Sequence, residues 1–351
     1  MRRFPFIFCT KERFLVAVTI RDVAALAGVS PSTVSRTCRN SPSISEETKQ
    51  RVRQAAKQLG YVMEGASAQS SAPRTIGVIL PPSAREVYEN PFYLEMIRGI
   101  NQFCNAHQYI STIVTGRDND EILAAIRLLV SSGAADAFIL LYSRQGDTVI
   151  DYLVQAKLMY VLIGKAYAYA NKTVYIDNDN FLAGQEATEY LIRRGHRRIA
   201  YLGSDNAYLF TADRRRGYQA ALALANIPVR SDYCVEMPSL DSGDAAVHAL
   251  IDRADRPTAI VVSDDLLGMT LERACLTHGL SIPRDISIIS FNNSLFAKLT
   301  SPRLTSVDLN SFQLGIEAAS QLISHIDRPE LMATKSIIPH RIVERESCRD
   351  I

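Results

Sequence analysis

Apolar positions along this 351-residue chain follow two different rhythms. In residues 18–62 they recur at helical spacing in three short bouts. Thr19 can cap a first helix with Asp22 reaching back from its third position, Val23, Ala24, Ala27 and Val29 supply its inner face, and Gly28 supplies the permissive backbone of a sharp turn. Ser30 then caps a second helix that has Pro31 at its first position and Val34 facing inward. This leaves Ser32, Thr33, Ser35 and Arg36 outside, the arrangement a helix-turn-helix offers to a major groove. Ser45 opens a third helix, with Glu46 and Glu47 in its first turn, Val52, Ala55, Ala56 and Leu59 as its buried stripe, and Gly60 at its end.

Past residue 75 the rhythm changes to near-continuous apolar runs, which predict strands at 75–80, 109–115, 136–142, 160–164, 174–177, 198–203, 233–237, 259–263 and 287–291. Such runs suit parallel strands covered on both faces. The segments between them, such as 91–107, 181–195, 212–225 and 266–279, have helical period and length. A doubly wound α/β body of this length divides naturally into two lobes around a cleft, with ligand at the carboxyl ends of the strands.

Charge separates the same two regions. The chain's formal net charge is +2, yet residues 1–75 carry 12 Lys+Arg against 5 Asp+Glu, while the remainder carries 27 against 32. A basic head on an acidic body is expected where the head alone meets phosphate. Enzyme signatures are missing: the 6 Cys and 6 His show no metal-ligand spacing, and neither a phosphate-cradling Gly-rich loop nor a nucleophile elbow occurs. No cofactor is expected. Scattered cysteines suit reduced thiols in the cytoplasm, and no apolar run reaches membrane length.

Residues 18–36 read V-T-I-x-D-V-A-x-x-A-G-V-S-x-x-T-V-S-R, and through this stretch the chain resembles the lactose-repressor (LacI/GalR) family of bacterial transcription regulators. The resemblance implies that Pro31, Ser32 and Arg36 face base edges, with Ser35 on the same helix face. It places Thr19, Ser30, Thr33, Ser45 and Thr48 at or near phosphates of double-stranded operator DNA. Where the family usually has an apolar pair and Asn after the Arg, this chain has Thr37-Cys38-Arg39, so Arg39 adds a cation near the DNA backbone. A second departure lies in the linker 63–74. The family's hinge pattern there carries a Pro, an Asn and a minor-groove Leu that are absent from Tyr61-Val62-Met63-Glu64-Gly65-Ala66-Ser67-Ala68-Gln69-Ser70-Ser71. Either a weakened hinge helix or a flexible tether is expected.

Resemblance continues through the body, at Asp177-Asn178, Ala183-Gly184, 187–192, Gly195-His196-Arg197-Arg198-Ile199-Ala200 and Arg214-x-x-Gly217-Tyr218. It implies the periplasmic-binding-protein type I fold over residues 75–351, two lobes joined by three crossing segments. Asn90-Pro91-Phe92, Thr115-Gly116-Arg117-Asp118, Phe138-Ile139-Leu140-Leu141-Tyr142 and Asp177-Asn178-Asp179-Asn180 look most like maltose-operon repressors within the family. A sugar site wants fork-like Arg, carboxylates or amides, and an aromatic platform. Arg214 matches the family's effector-contacting Arg, its alternative being a surface cation beside Arg215 and Arg216. Asp264 stands in the family's Ser/Asn-Asp position, where capping a helix is an equal alternative, and Asn292 stands where the family often carries Asp. Phe92 and Tyr93 open the first body helix beside the cleft or enter the core; Lys165 faces the same opening or is simply solvated.

Residues 1–17 stand apart. Their apolar stretch is short for a secretory signal and is interrupted by Lys11-Glu12-Arg13, and family members begin just before the Val-Thr-Ile motif. Translation is therefore expected to start at Val16 from a non-Met codon. The sequence thus points to a sugar-responsive repressor on operator DNA, in the cytoplasm on the nucleoid. It is expected to be a homodimer, since residues 337–351 contain no Leu heptad that would join dimers into tetramers. The resemblance implies maltose or a maltooligosaccharide as effector, the first alternative being a regulator of the same family that responds to another sugar or a sugar phosphate; a transport-type sugar-binding protein and a sugar-processing enzyme are the competing classes.

Overall fold

A computed structural model describes residues 18–38, 41, 44–59, 61, 74–83, 90–135, 137–237 and 244–351. Arg39, Gly60, linker residues 63–73 and the extension 1–17 lie outside the described residues. The chain divides into two compact units, residues 1–73 and 74–351.

The first unit holds α1 (Ile20–Ala27), α2 (Pro31–Cys38) and α3 (Glu46–Leu59). The N–H of Thr19 donates to the Asp22 carboxylate at 2.7 Å, and the Thr19 hydroxyl donates to the same oxygen. Gly28 takes the left-handed conformation (φ +66°), which turns the chain so that the Val29 N–H reaches Ala24 O at 3.0 Å. Ser30 Oγ accepts from the Thr33 N–H at 3.2 Å, and Ser45 Oγ from that of Thr48 at 3.3 Å. Val23, Ala24, Ala27, Val34, Cys38, Val52, Ala55 and Ala56 form the core. Val29, expected inside, is only half-buried, because the tight turn carries it to the rim of that core. Thr37 and Cys38 both point inward.

The second unit alternates strand and helix. One sheet has the order β11-β5-β4-β3-β1-β2 and comprises β1 (Arg74–Ile79), β2 (Tyr109–Val114), β3 (Ala137–Leu140), β4 (Met159–Ile163), β5 (Val174–Asp177) and β11 (Lys335–Ile337). The other has the order β12-β10-β9-β8-β6-β7 and comprises β6 (Ile199–Gly203), β7 (Cys234–Glu236), β8 (Ala259–Val262), β9 (Ser287–Phe291), β10 (Thr305–Asp308) and β12 (Arg341–Val343). Every pairing is parallel except β10 with β12. Each sheet is buried on both faces, which explains the uninterrupted apolar runs. Helices α4 (Pro91–Ala106), α5 (Asn119–Ser131), α6 (Thr148–Gln155) and α12 (Ser311–Asp327) cover the first sheet. Helices α7 (Asn180–Arg193), α8 (Leu209–Leu224), α9 (Asp244–Ile251), α10 (Asp265–Thr277) and α11 (Leu295–Leu299) cover the second.

The chain passes between lobes three times, at β5 to β6, β10 to β11 and β11 to β12. Residues 335–343 thus form two short strands in different sheets, separated by a crossing at Ile338-Pro339-His340. Asn178 fastens all three crossings: from the first, its Nδ2 donates to Leu309 O on the second (3.1 Å) and to Ile338 O on the third (2.8 Å). Within the second lobe α7 and α8 cross closely, since a Cβ on Gly217 would lie 2.0 Å from Phe181 O and one on Gly184 2.2 Å from Arg214 O. No helix of the described residues is long and apolar enough to cross a membrane.

Candidate functional site

On the head, the structure leaves Thr19, Ser30, Pro31, Ser32, Arg36 and Ser45 exposed, with Thr33, Ser35 and Thr48 half-exposed. Ser30 Oγ lies 2.8 Å from Ser32 Oγ and 2.9 Å from Thr33 Oγ1, so the start of α2 is a hydroxyl cluster at a helix N-terminus. Arg36 stands on the same exposed side of α2. Lys49 is different: it is buried and pairs with Glu46 at 2.7 Å, so it serves the fold of α3.

In the body, a cavity opens between the lobes at the carboxyl ends of β3, β4, β5, β8 and β9. Phe92, Tyr93, Lys165, Arg214, Asp264 and Asn292 all line it. Close passage of α7 against α8 sets Arg214 beside Asn180: Arg214 Nε donates to Asn180 Oδ1 at 2.9 Å and Nη1 donates to Ser263 O at 2.6 Å. The guanidinium is 3 % exposed and lies between the rings of Phe210 (4.8 Å) and Phe291 (4.4 Å). No described carboxylate forms an ion pair with it. Burial pulls it down to about 10, against the opposing pull of Asp264, Asp177 and Asp265, and it remains a cation at neutral pH. A buried, unpaired charge is costly, so its remaining donor edge is a strong demand for a polar ligand.

Around it the cavity is rich in acceptors. Burial, aided by nearby Asp213, pushes the Asp177 carboxyl up to about 7, and Asn180 Nδ2 donates to its Oδ1 at 3.0 Å. Asp213 reaches across to Lys165 Nζ at 3.6 Å and also pairs with Arg216. Asp264 caps α10, accepting from the Leu267 N–H at 2.9 Å, and also lines the cavity; burial raises its carboxyl too. Asn292 contributes an amide that bonds to no described residue, and Phe92, Tyr93, Tyr142 and Phe210 contribute aromatic surface. Lys165 is half-solvated and yet tethered, and Phe92 and Tyr93 meet the core with one side and the cavity with the other.

At the mouth, the lobes touch through the backbone. The Leu209 N–H donates to Ser143 O (3.1 Å) and that of Gln145 to Ala207 O (3.0 Å), with Arg144 and Asp205 at 3.5 Å beside them. The wall residues that sequence reasoning did not single out are chiefly Asp177, Asn180, Asp213, Tyr142 and Phe210. Asp177 carried a usable signal, a carboxylate closing an apolar strand; Asp213, inside a charged helical run, carried none.

Comparison with known proteins gives the following. Residues 19–63 match the bacterial regulatory proteins of the lacI family, and residues 188–348 match a periplasmic binding protein-like domain. The HTH-type transcriptional regulator MalR of Streptococcus pneumoniae is 33% identical over 338 residues, covering 93% of this chain and 99% of MalR. Among solved structures, a LacI transcriptional regulator of Bacillus cereus subsp. cytotoxis is 39% identical, with a TM-score of 0.76 over 79% of this chain and 99% of that one. A complex of the transcriptional regulator CelR with cellobiose is 28% identical, with a TM-score of 0.73 over 94% and 99%.

Proposed function

The chain belongs to the lacI family of bacterial regulatory proteins and is a DNA-binding transcriptional regulator of sugar metabolism; on that premise we propose that it is a repressor whose effector is a small uncharged glucan, maltose or a maltooligosaccharide, held in the interlobe cavity. The observation that carries this reading is Arg214, a buried cation with no ion pair, set among amides, carboxylates and aromatic rings. Hydroxyls donate and accept at once, so a sugar can satisfy the guanidinium edge and the carboxylates together while its ring face lies on Phe92, Tyr93 or Phe210. The resemblance to maltose-operon repressors and the cellobiose held by CelR support a disaccharide.

In the same reading, the heads of a cytoplasmic homodimer grip a near-palindromic operator through α2, with Pro31, Ser32, Ser35 and Arg36 towards bases and Thr19, Ser30, Thr33, Arg39, Ser45 and Thr48 towards phosphates. A second copy has an apolar surface to meet: Leu276 and Leu299 are exposed on the second lobe at a groove that leaves Glu272 Oε1 and Thr300 Oγ1 buried without described partners. Sugar acts by stabilising one interlobe angle over another, which ties effector to operator affinity.

Titration calorimetry with maltose, maltotriose, glucose, trehalose and glucose 6-phosphate tests the effector, alongside anisotropy on a labelled operator. Maltose or maltotriose is expected to bind most tightly. Arg214→Ala is expected to weaken that binding at least a hundredfold, about 2.7 kcal/mol, while operator affinity without sugar stays within threefold. Preference for glucose 6-phosphate, or an unimpaired Arg214→Ala variant, overturns the reading.

A further inference from the structure

Asn292 and Asn293 both take positive φ, +97° and +49°. Two successive left-handed residues, neither of them glycine, persist only where their surroundings hold them there. The surroundings converge on one buried carboxylate. Asp265, the first residue of α10 and 1 % exposed, accepts from Ser290 Oγ (2.5 Å) and Ser306 Oγ (2.7 Å) through Oδ1, and from the Ser294 N–H (2.6 Å) through Oδ2. Ser306 Oγ in turn accepts from the Asn293 N–H at 2.9 Å, so a donor chain runs from the turn through a serine to Asp265. Arg345 closes the outer side, donating from Nη2 to Asn293 Oδ1 (2.5 Å) and from Nη1 to Leu304 O (2.7 Å). Asp265 itself does not line the cavity; Asn292, on the turn it fastens, does.

We infer that Asp265 is the positioning residue for the effector site, acting through the Asn292-Asn293 turn: its carboxylate holds both residues left-handed and thereby aims the Asn292 amide into the cavity. This rests on the sugar-effector reading above for its affinity arm and on the geometry of the turn for the rest. The neighbouring carboxylates divide the labour, Asp264 facing the cavity and Asp265 the loop. An amide in place of the Asp265 carboxylate must set an NH2 against either the serine hydroxyls or the Ser294 N–H, and one of the two attachments is lost.

The test uses the full chain, with maltose as probe. Asp265→Asn is expected to weaken maltose about tenfold. Asn293→Gly added to it, which makes a left-handed residue easy, is expected to recover most of that loss. In an Asn292→Ala background, Asp265→Asn is expected to cost less than twofold, because the side chain it positions is gone. Hydrogen exchange read by mass spectrometry is independent of ligand: amides 292–294 are expected to exchange at least tenfold faster in Asp265→Asn, with those of α7 and α8 unchanged. Losses that add in the Asn292→Ala background, or unchanged exchange at 292–294, overturn the inference. If the native chain binds no maltose, the effector assignment falls, and the exchange measurement alone decides the positioning role.

Discussion

The head and the body solve recognition in opposite ways. The head keeps its proposed contact residues outside: a core of small side chains from Val23 to Ala56 supports hydroxyls and Arg36 that stay in water. The body keeps its proposed contact residues inside, with Arg214, Asp177 and Asn180 all at least nine-tenths buried. Exposed polar groups cost little to maintain and give electrostatic, salt-sensitive binding. Buried ones cost stability until a ligand satisfies them, and that cost is what lets a ligand change the conformational balance.

The contrast has a pH signature, and this is the largest effect expected. In the head, Thr19 holds the Asp22 carboxyl low and Lys49 does the same for Glu46, so that support is present near neutrality and fades as the medium turns acid. Asp177 runs the other way. Its folded value is about 7 against an ordinary 3.8, so between these values the folded body holds a proton that the unfolded chain has released. Stability from this group is therefore complete below the unfolded value and lost as pH rises through about 7. Unfolding of native protein and of Asp177→Asn, compared from pH ~4 to ~8, is expected to diverge by up to about 4 kcal/mol, native falling relative to the variant as pH rises. A pH-independent difference would erase this side of the contrast.

One substitution placed in both regions sharpens it further. Gly217→Ala drives a Cβ to 2.0 Å from Phe181 O and must force α7 from α8, for an expected loss of about 3 kcal/mol or more in the body's unfolding together with weaker effector binding. Gly28→Ala meets nothing within 4 Å and suffers only its left-handed backbone, for about 1 kcal/mol. Calorimetric scans of the two variants check the ranking. In the head the functional counterpart concerns base reading: Arg36→Ala is expected to reduce discrimination at one operator position by about 1–3 kcal/mol, leave effector affinity unchanged and lower binding to random DNA far less. Equal losses on operator and random DNA would make Arg36 a phosphate contact instead.

These differences also set what could be read from sequence. The head was legible because its helices are fixed by neighbours in the chain: Thr19 with Asp22, Ser30 with Thr33, Ser45 with Thr48. The body's long strands were legible as buried runs. Its last three were not, because 305–308 reads Thr-Ser-Val-Asp with no apolar run, while 335–337 and 341–343 are three residues each and pair with strands far away in sequence. Cavity residues divided similarly. Arg214 was reached by resemblance, whereas Asp213 and Tyr142 became wall residues only through the approach of α8 and β3 across the cleft. The Asn292-Asn293 turn hid its dependence on Asp265, a residue 27 positions earlier by number, since nothing local records that hydrogen bond.

The amide of Asn178 has a mechanical consequence. Three separate tethers would let one lobe hinge, slide and twist independently against the other. Fastened at one point by bonds of 3.1 and 2.8 Å, they share a pivot, which opposes sliding of one lobe along the other and leaves rotation about that point. A sugar that fills the cleft then acts on the angle between the lobes rather than on their offset.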